Sequence, residues 1–278
     1  DVGIEVKIFP NAQVVGSDRD SIEAVTLGEI DMTSVAELQF APNIKEFYVF
    51  NADYLFDDLK DAKAKLDGEQ GDLLKKAADD KNMGVKVAAF FGSSGRIFWN
   101  NVREVNTLAD FQGIKSRAPE NPINIAELEA LGCIPTPMAW NELYTGLQQG
   151  TVDGLVSSKM PIIQQGLIDV LKYATDTNHS YSINVILISS AKYNSFSEEQ
   201  RAAYDKAIAG AAEEEWKIAM KEEEDSVQKI KELQEQGKIL YTELTDEARA
   251  EIKEAMVAAT EPKVEEMCGK EILETFRN

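Results

Sequence analysis

The sequence predicts an α/β protein built around one unusually long helix, and two observations support this prediction. Strand and helix patterns alternate along roughly the first two thirds of the 278 residues, which favours helices layered on a sheet. From Ser197 onwards, apolar side chains follow helical spacing as far as Gly237. At about 1.5 Å per residue this helix would be roughly 60 Å long, so it would extend beyond one small domain.

The first predicted elements lie before residue 91. Apolar and charged residues alternate over residues 4–8, which predicts a strand with one face more exposed to solvent. A capping-box-like start at Ser17 predicts a helix that ends near Gly28. The other elements of this part are a short strand at 30–34, helices at 56–66 and 72–81, and a strand at 85–90.

The middle of the chain continues the alternation. Asn121 and Pro122 predict the N-cap and first residue of a helix that stops at Gly132. The other elements are a capped turn at 107–110, strands at 114–118, 154–157 and 181–189, an extended segment at 135–137 and a helix at 140–149. The apolar stripe of the closing long helix contains alanine, tyrosine and tryptophan rather than a leucine heptad, which favours a strut across two lobes over a coiled-coil arm.

The composition excludes several classes of protein. With 49 acidic and 29 basic residues the net charge is −20, and such a surface would repel nucleic-acid phosphates. No apolar run approaches the roughly 20 residues that span a bilayer. The single histidine and the two cysteines, Cys133 and Cys268, show no metal-ligand spacing, so we expect no metal and no cofactor. The cysteines are either ordinary thiols or a disulfide.

No catalytic motif appears in the sequence. The glycines and serines of residues 92–95 do not form the nucleophile elbow of a serine hydrolase, and no glycine-rich phosphate loop follows the first strand. Acidic pairs are frequent, but in a chain this acidic they say little about acid–base catalysis. These observations favour a binding protein over an enzyme.

Two arginines lie beside predicted strands rather than on helical surfaces. Arg96 follows the strand at 85–90, and Arg117 lies at the C-terminal end of the strand at 114–118. Ligands of open α/β sheets bind outside the carboxyl ends of the strands, and a planar guanidinium matches a carboxylate. Both arginines are therefore candidate anion-binding residues, with surface salt bridges as the alternative. In so acidic a protein, an anionic ligand needs local positive charge of this kind.

Several motifs, in register across nearly the whole chain, resemble the solute-binding proteins of TRAP transporters, the DctP-like family. The longest covers residues 135–154, PTPMAWNELYTGLQQGTVDG. The others are FPNAQ at 9–13, GSDR at 16–19, LGEIDM at 27–32, YLF at 54–56, GIKSRAP at 113–119 and TNH at 177–179.

The resemblance implies a two-lobed periplasmic-binding-protein fold. Strands are expected to cross between the lobes, and one long helix is expected to span both. The expected lobe I consists of residues 1–93 and 183–222, and the expected lobe II of residues 94–182 and 223–278.

The resemblance also implies a set of ligand-binding residues in the cleft between the lobes. A family arginine that meets the ligand carboxylate corresponds to Arg117. Arg96 is the nearest match to a second family arginine, offset by one residue. The aromatic residue of the long motif implies that Trp140 packs on the ligand. Asp18 and His179 complete the candidate set, and we expect His179 to support the site near the hinge rather than to act in catalysis.

The chain departs from the family pattern in two places. Ser157 stands where the family has an asparagine that bonds the carboxylate, and its shorter hydroxyl donates only one hydrogen bond. We therefore expect a different ligand geometry or an intervening water. The family also has a strand and a helix upstream of the FPN motif, so we expect the natural polypeptide to be longer, with its signal peptide removed.

The expected function is that of an extracytoplasmic receptor, periplasmic or lipid-anchored. It would capture a small organic carboxylate (a sugar acid, hydroxy acid or keto acid) and deliver it to the membrane-embedded permease subunits of a TRAP transporter. We expect no nucleic-acid partner. Two alternatives stay open: an enzyme that converts a small organic acid, and a helical interaction protein that binds partners through the glutamate-rich face of the long helix.

Overall fold

A computed structural model of the chain describes residues 2–10 and 13–278. Within this range seven strands form one mixed sheet. The strands are β1 (Met32–Ala36), β2 (Val85–Asn100), β3 (Lys115–Ala118), β4 (Ile134–Pro137), β5 (Gly154–Ser158), β6 (Tyr173–Ser189) and β7 (Leu240–Thr242). The helices are α1 (Asp18–Leu27), α2 (Glu37–Phe40), α3 (Leu59–Leu66), α4 (Glu69–Lys81), α5 (Pro122–Ala130), α6 (Leu143–Gln149), α7 (Lys159–Gln164), α8 (Ser190–Ser195), α9 (Glu198–Glu235), α10 (Asp246–Cys268) and α11 (Lys270–Arg277). Short 3₁₀ helices lie at Lys45–Asn51, Leu108–Phe111, Trp140–Glu142 and Leu167–Asp169.

Two very long antiparallel strands form the centre of the sheet. β2 has 16 residues and β6 has 17, and they pair along nearly their whole lengths. At one end β6 also pairs with β1. At the other end β2 pairs with β5, which is followed by β3 and β4. The same two strands therefore belong to both lobes, which confirms the predicted α/β fold with crossing strands.

The buried side chains form three clusters. The first, here called the lobe I cluster, lies mainly in the predicted lobe I and contains an aromatic group built from Phe40, Phe47 and Phe90. The second and third lie in the predicted lobe II and include neighbouring residues of β2, since Trp99 belongs to the second and Phe98 to the third. Successive residues of a strand point to opposite faces. The sheet of lobe II therefore has a hydrophobic core on each face.

The predicted long helix is confirmed as a single continuous element. α9 has 38 residues, about 57 Å at the usual rise, and Ser197 begins it with a capping box. Trp216 packs in the lobe I cluster, whereas Ile230 and Leu233 pack in the second cluster. The helix therefore joins the cores of the two lobes, as a strut does.

The helix α10 also reaches both lobes, and sequence analysis did not identify it. Ile252 and Met256 pack in the third cluster, while Val264 packs in the lobe I cluster with Phe276 of α11. We therefore propose that residues 264–277 belong with lobe I, although the predicted lobe II segment includes them. The rest of the predicted division remains a prediction.

Close contact between α9 and β2 depends on Gly92, where a β-carbon would lie 2.4 Å from the ring of Trp216. A β-carbon at Gly95 would instead lie 2.8 Å from Asn178 Oδ1 of the neighbouring strand β6. The Gly95 amide donates to Glu223 Oε2 at 3.0 Å. The fully buried Lys159 donates to Glu223 Oε1 at 2.6 Å. The bond to the Gly95 amide therefore attaches α9 to β2 beside the close approach at Gly92.

Residues 4–8 do not form the predicted strand. Val6 and Ile8 are 71% and 82% exposed, and no strand of the described residues pairs with this segment. Alternating side chains need a neighbouring strand to bond their backbone groups and cover one face. The prediction was therefore wrong at this point.

The two cysteines are buried free thiols. Cys133 packs in the third cluster and Cys268 in the first. The disulfide alternative is therefore wrong, and both residues act as small apolar side chains.

We predict opposite effects from two glycine-to-alanine substitutions. Gly92→Ala should lower the free energy of unfolding by about 1–3 kcal/mol, because the new methyl overlaps the buried Trp216 ring. Gly210→Ala should raise it by up to about 1 kcal/mol, because Gly210 lies inside α9 with open space around it. Urea unfolding measures both changes, and a destabilising Gly210→Ala would contradict the geometry described.

We also predict that Glu215 makes stability depend on pH. The carboxylate accepts a hydrogen bond from the Gly92 amide, but burial raises its pKa from 4.5 to about 7. A raised pKa in the folded state adds stability below the unfolded pKa, and this stability is lost as the pH rises towards 7. After solvent screening we expect a loss of about 1 kcal/mol. Glu215→Gln should abolish this loss in urea unfolding between pH 5 and 8. The exposed control Glu224→Gln should keep the wild-type slope.

Candidate functional site

The two candidate arginines lie on strands that flank β5. Arg96 is opposite Ser158 across the β2–β5 pair. Arg117 is opposite Leu155 across the β3–β5 pair, at the carboxyl end of β3. The fold therefore brings together two residues that are 21 positions apart in the sequence.

Arg96 is engaged in a polar network between β2, β6 and α2. Its Nη2 lies 2.8 Å from Glu37 Oε1, and its Nε donates to Ser182 Oγ at 2.9 Å. The hydroxyls of Ser182 and Ser158 lie 3.2 Å apart. Burial raises the pKa of the Glu37 carboxyl, and the Arg96 charge opposes this shift. Arg96 thus already has a buried counter-ion.

Arg117 has no such counter-ion. Its Nε donates to the Met138 carbonyl at 2.9 Å, and its guanidinium carbon lies 5.8 Å from the ring centre of Trp140. Among the described residues, no carboxylate lies within 4.0 Å of its nitrogens. Burial lowers its pKa, and the positive charge of Arg96 lowers it further. Arg117 is a half-buried cation that an incoming anion would stabilise.

Trp140 is held beside Arg117 by its position after β4. It begins the short 3₁₀ helix Trp140–Glu142, and its indole nitrogen donates to Gln165 Oε1 at 2.9 Å. The ring is only partly buried. The contact of Arg117 with Trp140 places a planar cation beside an aromatic face, and the guanidinium donors match a carboxylate.

Ser157 and Asp18 make backbone contacts rather than contacts with the arginines. The Ser157 carbonyl accepts a hydrogen bond from the indole of Trp99 at 3.1 Å. The Asp18 carboxylate accepts one from the Ala36 amide at 3.0 Å, immediately before α2. The roles of Ser157 and Asp18 in ligand binding remain predictions.

His179 lies in a different polar cluster. Its Nδ1 is 2.8 Å from Thr177 Oγ1, and its Nε2 is 3.4 Å from Glu127 Oε1. Asp53 completes a buried group of three with these side chains. None of the hydrogen bonds of His179 among the described residues reaches Arg96 or Arg117. A direct role in ligand binding therefore remains a prediction.

Sequence analysis missed Glu37 and Ser182 as partners of Arg96, and Ser158 as a partner of Ser182. Each is remote in sequence or lies in a segment without a recognisable motif. Of these residues, only Glu37 has a signal in the sequence. It is a single acid among Val35, Ala36 and Phe40, and such a context indicates a buried charge that needs a partner.

A sequence comparison identifies the family. The sequence model of bacterial extracellular solute-binding protein family 7 matches residues 3–267. The C4-dicarboxylate-binding periplasmic protein of Rhodobacter capsulatus is 28% identical over 277 residues, which cover 97% of this chain and 79% of that protein.

Solved structures show the same architecture. A TRAP periplasmic solute-binding protein from Sulfurospirillum deleyianum with bound succinate has a TM-score of 0.87 at 26% identity, covering 98% of this chain and 87% of that one. The sugar acid binding protein of Advenella mimigardefordensis in complex with galactonate has a TM-score of 0.84 at 29% identity, covering 95% and 83%. No helix among the described residues has the length and apolar character needed to cross a membrane.

We predict that the two arginines differ in their contribution to stability. Arg96→Ala should lower the free energy of unfolding by about 3–5 kcal/mol, because it leaves the buried Glu37 carboxyl without its cation. Arg117→Ala should cost only about 1 kcal/mol, the value of its hydrogen bond to Met138. Urea unfolding measures both losses. The double variant Arg96→Ala/Glu37→Gln should regain part of the free energy of unfolding that Arg96→Ala loses. Equal losses for Arg96→Ala and Arg117→Ala would contradict this assignment.

Proposed function

The chain belongs to family 7 of the bacterial extracellular solute-binding proteins, and from this premise we propose that Arg117 binds the carboxylate of a hydroxylated organic acid. As a member, it is a periplasmic solute-binding protein of a TRAP transporter. The observation that carries the proposal is the half-buried guanidinium of Arg117, which has no acidic partner among the described residues. A carboxylate would form the bidentate pair that this group lacks.

The charge of the site supports an anionic ligand. The chain carries a net charge of −20, which would repel an anion in solution. Arg96 and Arg117 lie close enough for the charge of one to lower the pKa of the other, and Glu37 neutralises only Arg96. One positive charge therefore remains for the ligand.

A buried oxygen supports a ligand with hydroxyl groups. Glu37 Oε1 is paired with Arg96. The backbone amides of Glu37 and Ile183 also stabilise this carboxylate, but no side chain donates to the buried Oε2. A carboxylate oxygen can accept more than one hydrogen bond, so Oε2 can accept a further one. A ligand hydroxyl next to the carboxylate would donate to it, which favours sugar acids and hydroxy acids over keto acids. The galactonate complex of the Advenella relative is consistent with this preference.

The state of the nucleophilic side chains supports binding without a chemical reaction. Burial raises the pKa of the Cys133 thiol to about 12 and that of Cys268 to about 11, so neither is a thiolate at neutral pH. The only histidine of the sequence, His179, is buried beside Glu127 and Thr177. We therefore propose that the protein releases its ligand unchanged to TRAP permease subunits, which would recognise the ligand-closed form.

Isothermal titration with galactonate, glucuronate, succinate and pyruvate tests the proposal. We expect the hydroxylated acids to bind most tightly. Arg117→Ala should lose about 30-fold to several-thousand-fold in affinity, since breaking a buried charge pair costs about 2–5 kcal/mol. Arg117→Lys should also bind weakly, because an ammonium cannot form the planar fork.

Two controls complete the experiment. Arg103→Ala removes the same charge from an exposed position of lobe II and should leave affinity unchanged. Near-native affinity of both Arg117 variants would show that the carboxylate binds elsewhere. Appearance of a new compound by NMR after incubation with any acid would show catalysis instead.

A further inference from the structure

A buried cluster of Asp53, Glu127 and His179 lies apart from the arginine network, at the junction of the two lobes. Each of the three side chains offers one ligand atom, and these atoms all lie within 4.8 Å of one another. All three residues are buried. We infer that the cluster binds a first-row divalent metal ion of the Zn²⁺ type.

The geometry suits one shared ion. Metal–ligand bonds of about 2.1 Å in a tetrahedral site place the ligand atoms roughly 3.4 Å apart. His179 Nε2 and Glu127 Oε1 lie 3.4 Å apart. The Asp53 ligand atom lies within 4.8 Å of the other two, so the Asp53 carboxylate would have to move closer to them when the ion binds. The fourth position would be open to water, as in sites with three protein ligands.

The imidazole nitrogen that faces the cluster has no hydrogen-bond partner. His179 is 1% exposed, and its Nε2 lacks a partner among the described residues. Buried polar atoms are nearly always paired, so an unpaired one needs an explanation. A metal ion bound to Nε2 would supply it.

The atoms that face away from the cluster are held by other side chains. Thr260 Oγ1 donates to Asp53 Oδ2 at 2.8 Å, and Asn124 Nδ2 donates to Glu127 Oε2 at 3.1 Å. His179 Nδ1 lies 2.8 Å from the Thr177 hydroxyl. Hydrogen bonds of this kind orient the ligands of protein metal sites and fix the histidine tautomer. The three ligand side chains therefore have the outer contacts typical of a built site.

The charge of the cluster favours a cation. Among the described residues, no lysine or arginine lies within 4.0 Å of the Asp53 or Glu127 carboxylates. Burial raises the pKa of the Asp53 carboxyl well above its ordinary value, and the charge of Glu127 raises it further. The Thr260 hydrogen bond and the more distant charges of Arg277 and Arg96 offset this rise only in part. Two buried carboxylates with so little compensation are costly. A dication would offset their charge.

The ligand types indicate which ions fit. Imidazole with two carboxylates suits Zn²⁺ and its first-row neighbours. Ca²⁺ requires six to eight oxygen ligands, and Mg²⁺ prefers oxygen in octahedral geometry. We therefore expect Zn²⁺ and Co²⁺ to bind, and Ca²⁺ and Mg²⁺ to bind much more weakly.

The position of the site gives it a structural consequence. Asp53 follows the 3₁₀ helix of the lobe I cluster, Glu127 lies on α5, and His179 lies on the crossing strand β6. A bound ion would join three segments that are distant in sequence. Zn²⁺ should therefore raise the unfolding temperature, since it binds only the folded arrangement.

The single histidine of the sequence makes a direct test possible. Untagged protein labelled with ¹⁵N-histidine is stripped with EDTA and titrated with Zn²⁺, with no organic acid present. We expect one equivalent to bind and to shift the Nε2 resonance of His179, and Co²⁺ to produce a visible absorption band. Mg²⁺ should leave the resonance unchanged. A Zn²⁺-insensitive His179 resonance would overturn the inference without the need for any variant.

Variants assign the remaining ligands. Asp53→Asn and Glu127→Gln should each weaken Zn²⁺ binding by at least about 100-fold. This exceeds the loss of metal affinity expected when only a hydrogen-bond partner of a ligand is removed. Glu129→Gln is the matched control, since it removes an exposed carboxylate from the same helix, and it should bind normally. Zn²⁺ binding of wild-type strength in the folded Asp53→Asn/Glu127→Gln double variant would place the ion at surface carboxylates and overturn the site.

Discussion

The close approach of α9 to β2 is the constraint on which the rest of the fold depends. The helix and the strand each run through both lobes, so their contact fixes how the lobes are placed. Trp216 lies over the bare backbone of Gly92, and Glu223 bonds the amide of Gly95. A side chain at Gly92 would overlap the Trp216 ring and separate helix and strand, whereas one at Gly95 would first meet Asn178 of β6.

The same region explains why one arginine is structural and the other is available. β2 carries Arg96 immediately after the glycines, where Glu37 of α2 and Ser182 of β6 meet it. The Glu37 carboxylate therefore neutralises the charge of Arg96. Arg117 lies two strands away, beyond β5, where the neighbouring groups are the Met138 carbonyl and the ring of Trp140. In a chain of net charge −20, such a cation without an acid beside it stands out.

Sequence predicted local features well and tertiary pairings poorly. The long helix was predictable because its spacing and its Ser197 cap are local signals. Only six of the 16 residues of β2 and nine of the 17 residues of β6 were predicted, because residues 91–95 and 173–180 contain glycines and polar residues that are typical of turns. Arg117 and Trp140 were found through their motifs. Glu37, Asp53 and Glu127 were not, since what distinguishes them is burial beside partners from remote segments.

The register of the crossing strands shows how the lobes can move without losing their connection. The pairing of β2 with β6 shifts between Gly92 and Gly95 and again between Arg96 and Phe98. Bulges of this kind bend a strand and interrupt its ladder. The first shift precedes Arg96, the first residue of β2 that pairs with β5, whereas the second lies beside that pairing. We therefore expect bending to concentrate at the first shift. Because Glu223 of α9 bonds the Gly95 amide there, we expect closure of the lobes to move the helix as well.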